Sequence, residues 1–263
     1  MTMNKETMKM RFFELLRIEF KKVKRSKIIP LIFIAPLIVV GSGVASLHRY
    51  FTPEYTHAWA AMFIQSALVY SYYLLPLSMI VICVMIAGRE TSNNGILKML
   101  ALPVSRYAIS AAKFCVLLFY LLMEMVVFFA VFVIAGLFAT SSTGVTETLP
   151  IMYLLKWCLD LFLTMIPSVI VMWAITVLFE KSMLSVGLNI LLVIPGVLIA
   201  NTPLWIVYPY CYSGYMVSRS LHAVTSTGLG NGFNLIPFLP CAIAISVFVF
   251  LIAITQFGKK EMR

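Results

Sequence analysis

Acidic side chains are scarce in this chain. Ten Asp and Glu stand against twenty Lys and Arg in 263 residues, and charged residues together make up only 11%. A soluble domain of this size needs far more polar surface, so a water-soluble globular fold is excluded. Histidine is rarer still, and His48, His57 and His222 show no metal-ligand spacing. The five cysteines (Cys83, Cys115, Cys158, Cys211 and Cys241) are odd in number and form no C-x-x-C pair, so neither a disulfide framework nor a zinc site follows. A single bridge between Cys211 and Cys241, both near one membrane face, stays open. No G-x-x-x-x-G-K-[ST] run occurs, and Gly258-Lys259-Lys260 lacks both the upstream glycine and the hydroxyl residue. Gly228-Leu229-Gly230-Asn231-Gly232 has no βαβ unit around it and is not a dinucleotide fingerprint. With no H-E-x-x-H and no serine elbow either, the chain is not expected to be an enzyme or to bind a cofactor or metal of its own.

What the chain has in abundance is apolar surface: 62% of residues are hydrophobic, and mean hydropathy is +0.98. This composition is that of an integral membrane protein. The formal charge of +10 is confined to short segments between apolar runs, which points to anionic lipid and to membrane orientation rather than to nucleic acid.

Residues 1–27 carry nine Lys/Arg against three Glu. Met8, Phe12, Leu16, Phe20 and Val23 recur near helical spacing, which predicts an amphipathic helix on the inner leaflet, with Lys21 to Lys27 facing lipid phosphates. A plain basic tail that only orients the protein is the competing reading. The basic region and the apolar run after it are both too long for a cleaved signal peptide. Spans are then expected at residues 28–47, 58–87, 107–139, 151–179, 183–200 and 236–257. Pro36 should kink the first, and the second, at thirty residues, should tilt, kink or protrude. The segments expected inside hold nine, four, one and three Lys/Arg. Only Arg49 and Arg219 fall in outer loops, and Lys156 sits at the outer edge of span four. That bias favours six transmembrane helices in an all-α polytopic fold, with both termini cytoplasmic. The domain plan is an amphipathic helix at 1–27, a six-helix domain at 28–257 with an outer loop at 201–235, and a short tail at 258–263.

Between spans two and three lies an island of charge and turn chemistry, Arg89 to Lys113. Glu90-Thr91-Ser92-Asn93-Asn94-Gly95 offers capping and turn groups. Ile96, Leu97, Met99, Leu100 and Leu102 form an apolar face too short to span, and Pro103 stops the segment. A short amphipathic element at the inner surface is a natural place for a soluble partner to push; an ordinary basic loop is the alternative. The residues Glu90, Gly95-Ile96-Leu97-Lys98, Leu100, Pro103-Val104-Ser105-Arg106 and Lys113 resemble the first cytoplasmic loop of ABC-2 type exporter permeases. More narrowly, they resemble those of bacitracin and lantibiotic resistance or immunity transporters; Ile96 stands where that family most often has Thr.

The resemblance implies that this loop, 89–106, is a coupling helix docked on a separate ATPase. Arg89, Glu90, Asn94, Gly95, Leu97, Lys98, Leu100, Pro103 and Arg106 would then make the contact. Glu180, in the tight turn Glu180-Lys181-Ser182, is a second, smaller candidate contact. It further implies two ATPase subunits carrying ATP and Mg, a second permease copy or paralogue, and a bacterial cytoplasmic membrane.

Two acids lie in spans. An ionised carboxylate at mid-bilayer costs about 2.5–3.5 kcal/mol on insertion scales, so Glu124 and Asp160 each need a partner, a proton or water. They either line the path of an amphiphilic, often cationic, peptide or serve packing, with Asp160 paired to Lys156 and Glu124 protonated or hydrogen-bonded between helices. The aromatic outer segment, with Trp205, Tyr208 and Tyr212, is either an interfacial belt or a re-entrant lid that meets substrate. The expected function is export of antimicrobial peptide. The alternatives are export of a lipid, drug or ion, and a non-transporting membrane scaffold or sensor.

Overall fold

The computed structural model describes residues 12–24, 26–46, 58–88, 106–143, 148–179, 181–227 and 235–259. Among them helix is the only regular structure, and six helices are long and apolar enough to cross a membrane.

Helix α1 (Phe12–Lys24) places Glu14 in its first turn and Lys21, Lys22 and Lys24 in its last, complementing the helix dipole at both ends. Its buried residues are Leu15, Glu19 and Val23. The apolar periodicity predicts a face through Phe12, Leu16 and Phe20, yet Phe12 is exposed. The face turns because α1 packs on another helix rather than on a flat surface. Leu15 meets Ile109 and Ala112, and the Phe20 ring stands edge-on to Phe119 at 4.9 Å.

Helix α2 (Ile28–Ala45) is the first span. It runs unbroken through the buried Pro36. The second span is one rod of three parts: α3 (Ala58–Val69), a π-helical turn (Tyr70–Leu74) and α4 (Leu75–Ala87). The amide of Leu75 bonds to the carbonyl of Tyr70. Pro76, one residue on, has no N–H and its ring crowds the preceding turn, so the helix widens there.

Helix α5 (Arg106–Thr143) has 38 residues; at 1.5 Å per residue it is about 57 Å long, far more than one crossing requires. It runs beside α1, α2 and α4 and beside the later spans. Helix α6 (Ile151–Leu178) is the fourth span. The fifth is α7 (Ser182–Val193) continued by a short turn, α8 (Gly196–Ile199), after a break at Ile194-Pro195. Helix α10 (Leu235–Lys259), the sixth, lies along α6; helix α9 (Tyr212–Thr227) precedes it. Trp59, Phe63, Tyr70, Phe128, Phe132 and Trp173 fill the shared core. Large apolar side chains such as Phe33, Ile38, Ile134, Leu191 and Phe248 cover the outside, as a lipid-facing surface requires.

The bundle has two distinguishable ends. One carries α1, the start of α5, and the close approach of Gly88 to Ser182; it is called the basic end below. At the far end Gly136 packs on the Trp59 ring and Leu149.

Residues 201–235, expected as an outer loop that is either an interfacial belt or a re-entrant lid, contain regular structure where described. Two 3₁₀ turns, Pro203–Val207 and Pro209–Cys211, lead into the sixteen-residue α9. Ser168 Oγ donates to the Pro209 carbonyl at 2.6 Å. Ser168 lies about 25 Å along α6 from its Ile151 end at 1.5 Å per residue, so this backbone sits well inside the bundle. Helix α9 then packs along α3 and α6.

Candidate functional site

The residues 89–105 and Glu180 lie outside the described residues, and with them Arg89, Glu90, Asn94, Gly95, Leu97, Lys98, Leu100 and Pro103. Arg106 opens α5, but its side chain is likewise outside. His48 and His57, the side chain of His222, and residues 1–11, 228–234 and 260–263 are in the same position.

The two intramembrane acids are separated by the fold. Glu124, on α5, is fully buried. Its carboxylate accepts the Tyr70 hydroxyl at 2.9 Å and the Ser78 hydroxyl at 2.8 and 3.0 Å. Tyr70 opens the π-helical turn and Ser78 lies one helical turn beyond its end. Without that extra residue per turn, Tyr70 and Ser78 would present a different spacing to α5. Tyr70 also stacks flat on Phe128, one helical turn beyond Glu124, at 4.6 Å between ring centres. A carboxyl group that meets two hydroxyls and is sealed by aromatics ties the second span to α5.

Asp160 stands elsewhere. It lies half-buried on α6, one turn from the exposed Lys156 and electrostatically coupled to it. Both border a groove of about 550 Å³ between α6, α9 and α10. Thr164, Ser220 and Ser246 add hydroxyls, while Trp157, Phe238 and Met216 form apolar walls. Leu163, Leu239, Ile243 and Val247 lie on its exposed rim, so the groove opens sideways from the bundle. Such a trough presents one carboxylate and one amine to an amphiphile arriving from lipid.

Trp205, Tyr208 and Tyr212 gather beside the groove rather than in it. Trp205 stacks on Tyr215 at 4.0 Å, and Arg219 lies over the Tyr215 ring. Tyr212 is fully buried, donates to the Ile206 carbonyl at 2.5 Å, and stands edge-on to Phe238, a groove wall. Tyr208 donates to the Leu192 carbonyl. Cys211 and Cys241 are both free thiols.

A buried polar chain escapes sequence reasoning altogether. The Tyr210 hydroxyl donates to Asn189 Oδ1 at 2.8 Å. Asn189 Nδ2 donates to the Ser185 carbonyl at 2.9 Å, and Ser185 Oγ donates to Thr176 Oγ1 at 3.0 Å. The chain joins the inserted 3₁₀ segment to the basic-end halves of α6 and α7. Its sequence signal is present: Asn189 is a lone amide in an otherwise apolar span, and such a residue needs a partner inside the bundle. Among the described residues no group of His, Cys, Asp and Glu forms a metal site.

Residues 15–196 match the model of a family described as ABC-2 family transporter protein. No curated protein matches the chain.

Proposed function

The chain belongs to the ABC-2 family of transporter proteins, a multi-pass membrane permease subunit of an ABC transporter, and we propose that it exports antimicrobial peptides of the bacitracin or lantibiotic kind from the bacterial cytoplasmic membrane. The groove of α6, α9 and α10 carries this reading. It offers an amphiphilic, cationic peptide an acid, Asp160, at the mouth of an apolar trough that opens toward lipid.

Members of this family associate with ABC ATPases. In the proposed assembly two ATPase subunits bind ATP and Mg beneath the basic end, which faces the cytoplasm. They push on residues 89–106 and on the turn at Glu180. A second permease copy or paralogue completes the path, because one set of six helices has too few walls for a peptide. Closure of the ATPases shifts the permeases between states, and the peptide must bind those states with different affinity for transport to follow.

The test is resistance. The full chain, expressed with an ABC ATPase subunit from the same genome, should raise the inhibitory concentration of bacitracin or a lantibiotic severalfold in a susceptible bacterium. Glu90→Ala should remove both the resistance and co-purification of the ATPase. If the ATPase co-purifies and peptide susceptibility does not move, the cargo is another class, such as a lipid, drug or ion. If no ATPase associates at all, the protein is a scaffold or sensor.

A further inference from the structure

A second groove, of about 560 Å³, opens on the other flank of the bundle between α1, α2 and α5. Its two ends differ in chemistry. At one end Arg17, Lys21 and Lys24 line it from α1. Their spacing of four and three residues puts them on one helical face. All three are exposed, and among the described residues none makes an ion pair or hydrogen bond. The neighbouring Lys22 is different: it closes an ion pair at 2.5 Å with the buried Glu19 and does not line the groove.

The rest of the groove is apolar. Ile29 and Phe33 of α2 form one wall, and Phe119, Met123 and Val127 of α5 the other. From Phe119 to Val127 the α5 wall runs about 12 Å at 1.5 Å per residue, close to the ~15 Å depth of one leaflet. Phe20, held edge-on to Phe119, lies where the cationic end meets the apolar one. The cations sit where the apolar span of α2 begins, at the level of lipid headgroups.

We propose that this groove is a binding site for one anionic phospholipid of the leaflet that α1 faces. The phosphate is held by Arg17, Lys21 and Lys24, and one acyl chain lies between α2 and α5. The commitment to a lipid rests on the union of the two ends. A free phosphate has no use for the trough, and a neutral lipid has no use for three cations gathered on one helical face. Because α1 and α5 both border it, the lipid would splint the junction between the first described helix and the central one. This site is separate from the peptide groove and stands whether or not the cargo reading holds.

Native mass spectrometry of the full chain purified in detergent tests it, with phosphatidylglycerol, phosphatidylcholine and inorganic phosphate as probes. The expected result is one phosphatidylglycerol retained per chain under conditions that strip phosphatidylcholine. Retention should fall about fivefold for each cation removed in Arg17→Gln, Lys21→Gln and Lys24→Gln. Lys181→Gln, an equal loss of an exposed charge at the same end of the bundle but outside the groove lining, should leave retention unchanged. Met123→Trp, which fills the apolar wall, should also expel the lipid while all three cations remain. Equal retention of both lipids, equal loss in Lys181→Gln and Lys21→Gln, or full retention in Met123→Trp would each overturn the proposal. So would protection of the protein against heat by inorganic phosphate as strong as that by phosphatidylglycerol.

Discussion

Gly214 of α9 faces the ring of Tyr72 so closely that a Cβ on the glycine would stand 2.2 Å from Cε1. Tyr72 belongs to the π-helical turn of the second span, so this approach is where α9 meets the most irregular point of the bundle. Gly214→Ala should therefore destabilise the protein by about 1–3 kcal/mol through overpacking. Thermal unfolding in detergent would measure it, and Tyr72→Leu combined with Gly214→Ala should recover part of the loss. An unchanged midpoint for the single variant would show that α9 yields freely.

The carboxylate of Glu124 makes a separate prediction. Glu124→Ala leaves the buried Tyr70 hydroxyl without its acceptor, while Ser78 keeps the Leu75 carbonyl, at a cost of about 1–3 kcal/mol. Glu124→Gln keeps one acceptor oxygen and should cost less. Both variants should lower the unfolding midpoint in that order. A midpoint untouched by Glu124→Ala would mean that the tie carries no weight.

Asp160 should behave differently from Glu124. Asp160→Asn keeps the shape of a half-exposed side chain, so the protein should reach the membrane at the normal level and unfold at the normal temperature. Resistance to a cationic peptide should nevertheless fall, by about fivefold to tenfold for the loss of one close charge. Inhibitory concentrations measured beside immunoblots of membrane fractions separate the two effects. Loss of the protein itself would assign Asp160 to packing.

Asn189→Leu cuts the polar chain between Tyr210 and the basic-end halves of α6 and α7. One buried hydroxyl loses its acceptor, a cost of about 0.6–1.7 kcal/mol for an interhelical bond in a membrane protein. Peptide transport should fall more steeply than this small change in stability implies, because the inserted segment loses its link to the basic-end halves of α6 and α7. ATPase-driven transport in proteoliposomes, compared with the unfolding midpoint, reads the two together. A strictly parallel decline would reduce the chain to packing.

Alanine at Trp205 and at Tyr208 addresses the aromatic segment. Trp205 gives up its stack on Tyr215, and Tyr208 its bond to Leu192. Resistance should drop with membrane levels intact if this segment meets substrate; levels measured in the same cells decide.

The six spans were legible because each is a run of apolar residues long enough to cross lipid, whatever its neighbours do. The buried side of α1 was not, because periodicity reports that a helix has an apolar face but not which seam a neighbouring helix will choose. Glu124 announced itself by the cost of its charge. Its donors did not, since Tyr70 and Ser78 lie 54 and 46 residues away and meet it only through the depth and rotation of two helices. Helix α9 is the clearest omission. Its buried residues Tyr212, Ser213, Met216, Val217 and Ser220 do repeat at helical spacing. They mix aromatic, small and hydroxyl side chains, so the stripe does not register as hydrophobic.

The segment from Pro203 to Cys211 has a consequence for biogenesis. Its backbone cannot be left bare in hydrocarbon, and its anchors, Ser168, Asn189 and Leu192, belong to the fourth and fifth spans, α6 and α7. It can settle only after both have left the insertion machinery, and α9, which seals the flank of the second span, follows it. The newborn chain thus carries an open seam along that early helix for most of its synthesis. Any substitution that delays closure exposes the protein to membrane proteases before it has ever worked.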